Sequence, residues 1–138
     1  MANFQDLETL VKKFENTYRG HNLDPFEPLD KYEFGCKLSC QPLAARRGIY
    51  AMFYNDELLY IGKASSLKSA IWHRVSKHVV FDNDYNYIGV RGTWSKEPTH
   101  FIGWAVPDSS FFEASALEEF LINELRDELP DNRVGKKT

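Results

Sequence analysis

The sequence predicts a small α/β (α+β) domain: a central antiparallel sheet of about three strands, flanked by helices. Three observations lead there. Two short strings, Gly48-Ile49-Tyr50 and Tyr60-Ile61-Gly62, lie on strand-like runs that a tight turn near Asn55 can join. A third run, residues 99–106, reads as a strand closed by Pro107. Around these, three stretches repeat apolar residues at helical spacing.

The elements follow in order. Residues 4–18 read as an amphipathic helix in which Phe4, Leu7, Leu10, Val11, Phe14 and Tyr18 share a face, with Asn3 as N-cap and Gly20 as stop. Residues 21–45, with Pro25, Pro28 and Pro42, read as a mostly irregular wrap. Strands are expected at about 48–54 and 57–62, and a helix at about 67–78 after Ser65-Ser66. Residues 79–98, with Asp82-Asn83-Asp84 and Gly89, read as a long loop holding at most one short element. The last helix begins after Ser110, with Ser110 and Glu113 as a capping box, and runs to about Glu128; Pro130 lies beyond. Residues 133–138 read as a frayed tail.

Bulk properties narrow the function. A chain of 138 residues fits one domain with one core, and 43% apolar with 27% charged residues is ordinary for a globular protein. No apolar run approaches a membrane span and no signal-peptide layout opens the chain, so the expected place is the cytoplasm. Cys36 and Cys40 lack a second pair at metal-type spacing, which argues for reduced thiols and against zinc. The net charge of −3 is awkward for a nucleic-acid binder, but it is unevenly spread: −2 over residues 1–45, +4 over 46–78 and −5 over 79–138. The positive window coincides with the tyrosine strings. Its footprint is modest, so weak DNA affinity is expected unless a homo-oligomer or an accessory DNA-binding partner adds charge.

The chemistry starts at the hairpin. Tyr50 and Tyr60 share a face only if the loop is odd and centred on Asn55, or if a bulge restores the parity; a plain two-residue turn at Asn55-Asp56 puts them on opposite faces. On the expected helix after the hairpin, Leu67, Ala70, Ile71 and Val75 define an apolar arc that also contains Arg74 and His78. A guanidinium there either snorkels at the rim or points at an anionic substrate. On the last helix, Ala114, Leu117, Leu121, Ile122 and Leu125 enclose Glu118, whereas Glu113 and Glu119 fall outside the arc. A carboxylate on a core face is either paired, with Arg74 the candidate partner, or holds a metal ion.

The paired tyrosine strings, with a later helical Arg, a His four residues on, a Glu within Ala116-Leu117-Glu118-Glu119-Phe120-Leu121-Ile122 and a final Asn, resemble the GIY-YIG nuclease family over roughly residues 47–132. In many members the arginine stands about one turn earlier, where this chain has Ala70. Residues 1–45 resemble no accessory DNA-binding domain. The resemblance implies a one-metal DNA endonuclease. Tyr50, Tyr60, Arg74, His78 and Glu118 would be catalytic, Glu118 would hold Mg²⁺ or Mn²⁺, and Lys63, Arg47 and Asn132 would contact substrate. Tyr50 would take a proton from water, with positive charge from the metal, Lys63 or Arg74 lowering its pKa, and His78 is the alternative base. DNA is the expected partner and RNA stays open. The rival reading is a non-catalytic nucleic-acid-binding or assembly module that keeps the same fold.

Overall fold

The strand-like runs on either side of Asn55 form the central hairpin of the molecule, in a computed structural model that describes residues 1–20, 22–35, 42–66 and 68–132. Cys36, Cys40, Leu67 and the 133–138 tail lie outside the described residues. The strands are β1 (Glu27–Pro28), β2 (Tyr32–Glu33), β3 (Gly48–Tyr54), β4 (Glu57–Ala64), β5 (Val79–Phe81), β6 (Tyr87–Val90) and β7 (His100–Ala105). The helices are α1 (Phe4–Tyr18), α2 (Ile71–Val75) and α3 (Glu113–Leu125). The main sheet has five antiparallel strands in the order β1-β7-β3-β4, with β2 also pairing with β7; β5 and β6 form a separate pair. Among the described residues no helix is long and apolar enough to cross a membrane.

The central three strands are those the sequence predicts. The two extra strands come from the wrap, where two-residue pieces add to the outer edge of β7. Leu29 and Phe34 continue this edging by donating their N–H groups to Gly103 and Thr99 carbonyls at 2.8 and 3.0 Å. Pieces this short leave no periodic trace in sequence, and Pro28 is compatible only with such an edge position.

Both faces of β3 are covered, so Gly48–Phe53 is buried throughout. On one face Ile49, Ala51, Phe53, Leu58 and Ile61 pack against Leu7, Val11 and Phe14 of α1 and Leu117, Leu121 and Leu125 of α3. On the other, Tyr50, Met52 and Ala64 pack against Ile71 and Val75 of α2, with Val79 and Phe101. Each such Leu, Ile or Phe contributes about 1.5–3 kcal/mol on burial. α1 begins as expected: Asn3 Oδ1 accepts from the Asp6 N–H, and the Asp6 carboxylate accepts from the Asn3 N–H, both at 3.0 Å.

Three expectations are corrected. The helix after the hairpin is one short turn rather than 67–78. Its sequence, Ile-Trp-His-Arg-Val, is β-branched and aromatic and forms helix poorly. It closes through tight bonds from Lys77 N–H to Arg74 C=O (3.2 Å) and from His78 N–H to Val75 C=O (2.9 Å). His78 therefore stands in a turn beyond the helix. The expected loop over 79–98 contains the β5–β6 hairpin instead. The Asp82 carboxylate accepts from the Asp84 and Asn86 N–H groups (2.8 and 2.9 Å), making Asp82-Asn83-Asp84 the turn between two strands. Finally, Ser110 and Glu113 bond side chain to side chain at 2.6 Å rather than forming a capping box, and α3 starts without a side-chain cap. Glu113 is drawn away because Arg19 binds it.

Candidate active site

The site begins with a parity correction inside the hairpin. The turn has two residues, with Tyr54 opposite Glu57, and Asn55 takes the left-handed conformation at φ 50°. On its own this turn would split the tyrosines between faces. A bulge between Met52 and Phe53 leaves Leu59 as the extra residue, so Tyr50 faces Gly62 and Met52 faces Tyr60. The two phenols thus share a face as diagonal neighbours, not as the directly opposed pair that an odd loop gives. Their ring centroids are 6.1 Å apart. The carbonyl of the bulged Leu59 accepts from the Asp131 N–H at 3.1 Å, which fixes the bulge from outside.

The glycines of the two strings have a steric reason. A Cβ at Gly62 would overlap the Cζ and hydroxyl of Tyr50, because that ring lies across the position. A Cβ at Gly48 would overlap the Trp104 carbonyl of β7. Gly62 therefore makes room for the ring of Tyr50, and Gly48 lets the hairpin close onto the third strand.

His78 completes the group. Its Nε2 lies 2.9 Å from the Tyr50 hydroxyl, and its ring meets Tyr60 edge-on at 5.1 Å. Trp94 packs edge-on against both Tyr60 and His78, each at 5.6 Å. Sequence reading missed Trp94; one tryptophan in a polar loop carries no periodic signal. Ser95, beside it, binds Asp131 through its N–H (2.8 Å) and hydroxyl (2.7 Å), so the Trp94 loop is stitched to the segment after α3.

Burial pushes the Tyr50 phenol well above its ordinary value of 10, and the Tyr60 and Glu118 charges add to this against the opposing effect of Arg74. Tyr60 is raised for the same leading reason, burial. Among the chain's own groups, Arg74 lowers Tyr50 by less than burial raises it. Burial, then Arg74, holds His78 below its ordinary 6.5, so the imidazole is neutral at pH 7 and its Nε2 can accept from the Tyr50 hydroxyl.

Glu118 does not share the tyrosine face. It stands on α3, which packs on the opposite side of the sheet, and the two sides meet around β4, the last strand of the order. Even so, the Glu118 charge acts on both phenols, and Arg74 acts on Tyr50, Tyr60, His78 and Glu118 alike. Burial raises the Glu118 pKa, opposed by Lys63 and Arg74. Among the described residues no ion pair joins Glu118 to Arg74, so the pairing alternative is not realised. Lys63 lies on the Glu118 side of β4 and donates to Ser115 Oγ at 3.1 Å.

Asn132 is buried, and its amide is committed to β4: Oδ1 accepts from the Ile61 N–H and Nδ2 donates to the Ile61 carbonyl, both at 2.8 Å. It clamps the backbone between Tyr60 and Gly62 instead of facing outward to substrate. Arg47 lies apart from the tyrosines. Its guanidinium stacks on Phe111 at 4.3 Å and approaches Asp108 at 3.7 Å.

A divalent ion fits the donor set in one way. Mg²⁺ takes oxygen ligands and is held through one or two carboxylates together with waters and substrate phosphates. A half-buried Glu118 with no ion-pair partner is such a carboxylate, and among the described residues no group of three or more His, Cys, Asp or Glu is placed to enclose an ion by itself.

The fold that carries these side chains is a mixed α/β domain built on an antiparallel sheet. The family model described as the GIY-YIG catalytic domain matches residues 46–132, and the chain belongs to the GIY-YIG nuclease family. No curated protein and no solved structure matches the chain.

Proposed function

We propose that the chain is a metal-dependent DNA endonuclease acting by hydrolysis, with Glu118 holding one Mg²⁺ or Mn²⁺ ion. The observation that carries this reading is Glu118 itself: a half-buried carboxylate, raised by burial, with no ion-pair partner among the described residues, whose charge reaches both phenols. When bound, the ion neutralises the phosphate and stabilises the leaving oxygen.

The other residues divide the remaining work. A phenol raised by burial stays protonated at neutral pH, so Tyr50 acts as a relay rather than as a phenolate. Its oxygen receives a proton from the attacking water while its own proton passes to His78 Nε2, the neutral acceptor 2.9 Å away. Tyr60 orients the water or phosphate by hydrogen bonding. Arg74, which acts on every titratable member of the group, stabilises charge that develops on the phosphate. Lys63 helps hold the substrate beside Glu118, and Asn132 acts as a positioning residue through the Ile61 backbone. DNA is the proposed substrate and the cytoplasm the proposed place of action.

A plasmid-nicking assay tests the reading. The parent should nick DNA with Mg²⁺ and stop on chelation, and Glu118→Ala should not nick. A parent that binds duplex, nicked, flapped and branched DNA but cuts none of them would leave the non-catalytic module. Preferential cleavage of matched RNA would reassign the substrate.

A further inference from the structure

We infer that a cleft at the entry to β3 holds a second phosphate of the nucleic-acid strand, next to the one being cut. The cleft has a volume of about 530 Å³ and is lined by Arg46, Arg47, Lys68, Ser69, His73 and Asp108, among others. It rests on the reading of the chain as a nuclease and adds to it a place where the strand is gripped.

Two guanidinium groups are built into the wall with donors left over. Arg46 gives Nη1 to Glu27 and Nη2 to the Val106 carbonyl, each at 2.8 Å, and its own carbonyl accepts from the Ile71 N–H at 2.9 Å. Arg47 is held by Phe111 and Asp108, and its carbonyl accepts from the Val106 N–H at 2.9 Å. Among the described residues, Arg46 Nε and Arg47 Nη1 are nonetheless buried without a hydrogen-bond partner. A buried charged donor with nothing to bind is unfavourable, so each guanidinium gains by turning toward an acceptor in the cleft, and a phosphate oxygen is the one its geometry suits best. Exposed Lys68 and His73 lie at the same cleft. Asp108 opposes them, but it is 72% exposed, and the cations outnumber it.

The position matches one strand crossing both sites. Arg47 precedes Tyr50 by three residues, about 10 Å along the chain, but alternation sets the two side chains on opposite faces, so the link between the sites runs through α2 rather than along β3. His73 adjoins Arg74 on α2, with His73 at the cleft and Arg74 acting on the phenols. A backbone gripped at the cleft would therefore present a neighbouring phosphate to Tyr50 and Arg74. The positive window of residues 46–78 owes part of its charge to this cleft.

The test uses the full chain without divalent metal. Inorganic phosphate is titrated while the Arg Nε–Hε signals are followed by NMR, and binding of a short DNA duplex is measured across a salt series. Saturable shifts of the Arg46 and Arg47 signals are expected. Lys68→Glu with His73→Ala should abolish those shifts and weaken duplex binding about 10-fold, with a log–log salt slope shallower by about 1. Lys77→Glu, an exposed lysine outside the cleft, should change neither the shifts nor the salt slope by a comparable amount. Absence of phosphate-induced shifts, together with unchanged duplex affinity in the cleft variant, would overturn the inference. Shifts with free phosphate but unchanged duplex binding would also overturn it, by showing a small-anion pocket off the strand path. A parent that shows the shifts and the loss of duplex affinity yet never cuts would sink the nuclease reading and leave the phosphate cleft standing.

Discussion

Glu113 and Glu118 lie on the same helix and meet opposite surroundings. Glu113 accepts from Arg19 at 2.6 and 2.9 Å and from the Ser110 hydroxyl at 2.6 Å, within a pair whose side chains are 7% and 5% exposed. Burial pushes its pKa up, but the Arg19 and Ser110 hydrogen bonds prevail and hold it below 4.5. Glu118 is half-buried, with no ion pair among the described residues, and burial raises it against the fields of Lys63 and Arg74. The difference teaches how this fold spends charge. A carboxylate that ties the end of α1 to α3 has its demand met within the chain, whereas one across the sheet edge from the phenols is left with unmet demand, the condition in which a group takes up an outside partner.

Exchanging which of the two carboxylates is removed breaks the comparison most directly. Glu118→Gln should lower nicking by at least about 10³-fold, at the top of the range for one electrostatic contact, and should leave the fold intact by circular dichroism. Glu113→Ala should destabilise the chain by about 2–3 kcal/mol, because buried Arg19 loses its two short bonds to a carboxylate and keeps Glu15 only at 3.6 Å. Per folded molecule it should cut at a near-parental rate. If the roles came out reversed in denaturant melts and nicking assays, Glu113 would be the functional carboxylate.

Tyr50→Phe sharpens the reading on the tyrosine side. Cleavage should fall by about 10²–10⁴-fold, the usual range for a proton-transfer group. Stability should fall by only about 1 kcal/mol, for the hydrogen bond lost to His78. A near-parental rate would return the base role to His78 alone.

Arg74→Lys should reduce the rate by about 10²-fold while substrate affinity changes less, since lysine keeps the charge but loses the planar fork. Single-turnover rates and DNA titrations separate the two effects.

The smallest effect is in pH dependence. Glu113 is lowered in the folded chain, so its stabilisation is present above its ordinary 4.5 and is lost as pH falls through the folded value. The stability gap between parent and Glu113→Ala should therefore close in acid. Glu118 is raised, so its contribution is present below 4.5 and is lost as pH rises through the folded value. Glu118→Gln should therefore gain on the metal-free parent as pH rises. Nicking should show no break at the ordinary His value of 6.5, because His78 is already neutral there. Chemical melts and rates over a pH series check both.

Local chemistry was legible in the amino-acid order. Alternating strands around Asn55, the Asn3-capped helix over Phe4–Tyr18, the strand before Pro107 and the apolar arc around Glu118 all follow from residue type and period, because each is decided within one or two turns of chain. So did the family, since its motifs are strings. What the sequence could not decide depends on contacts made across the fold. The Leu59 bulge is fixed by Asp131, far along the chain, and it alone brings Tyr50 and Tyr60 to one face. Glu113 lies outside the apolar arc, yet Arg19, just past the end of α1, makes it buried and paired. α2 has the helical period but stops after one turn, where β-branched and aromatic residues favour packing over further helix. The pKa directions follow the same rule: a phenol beside an arginine reads in sequence as an acidified base, but tertiary burial desolvates Tyr50 and outweighs the charge.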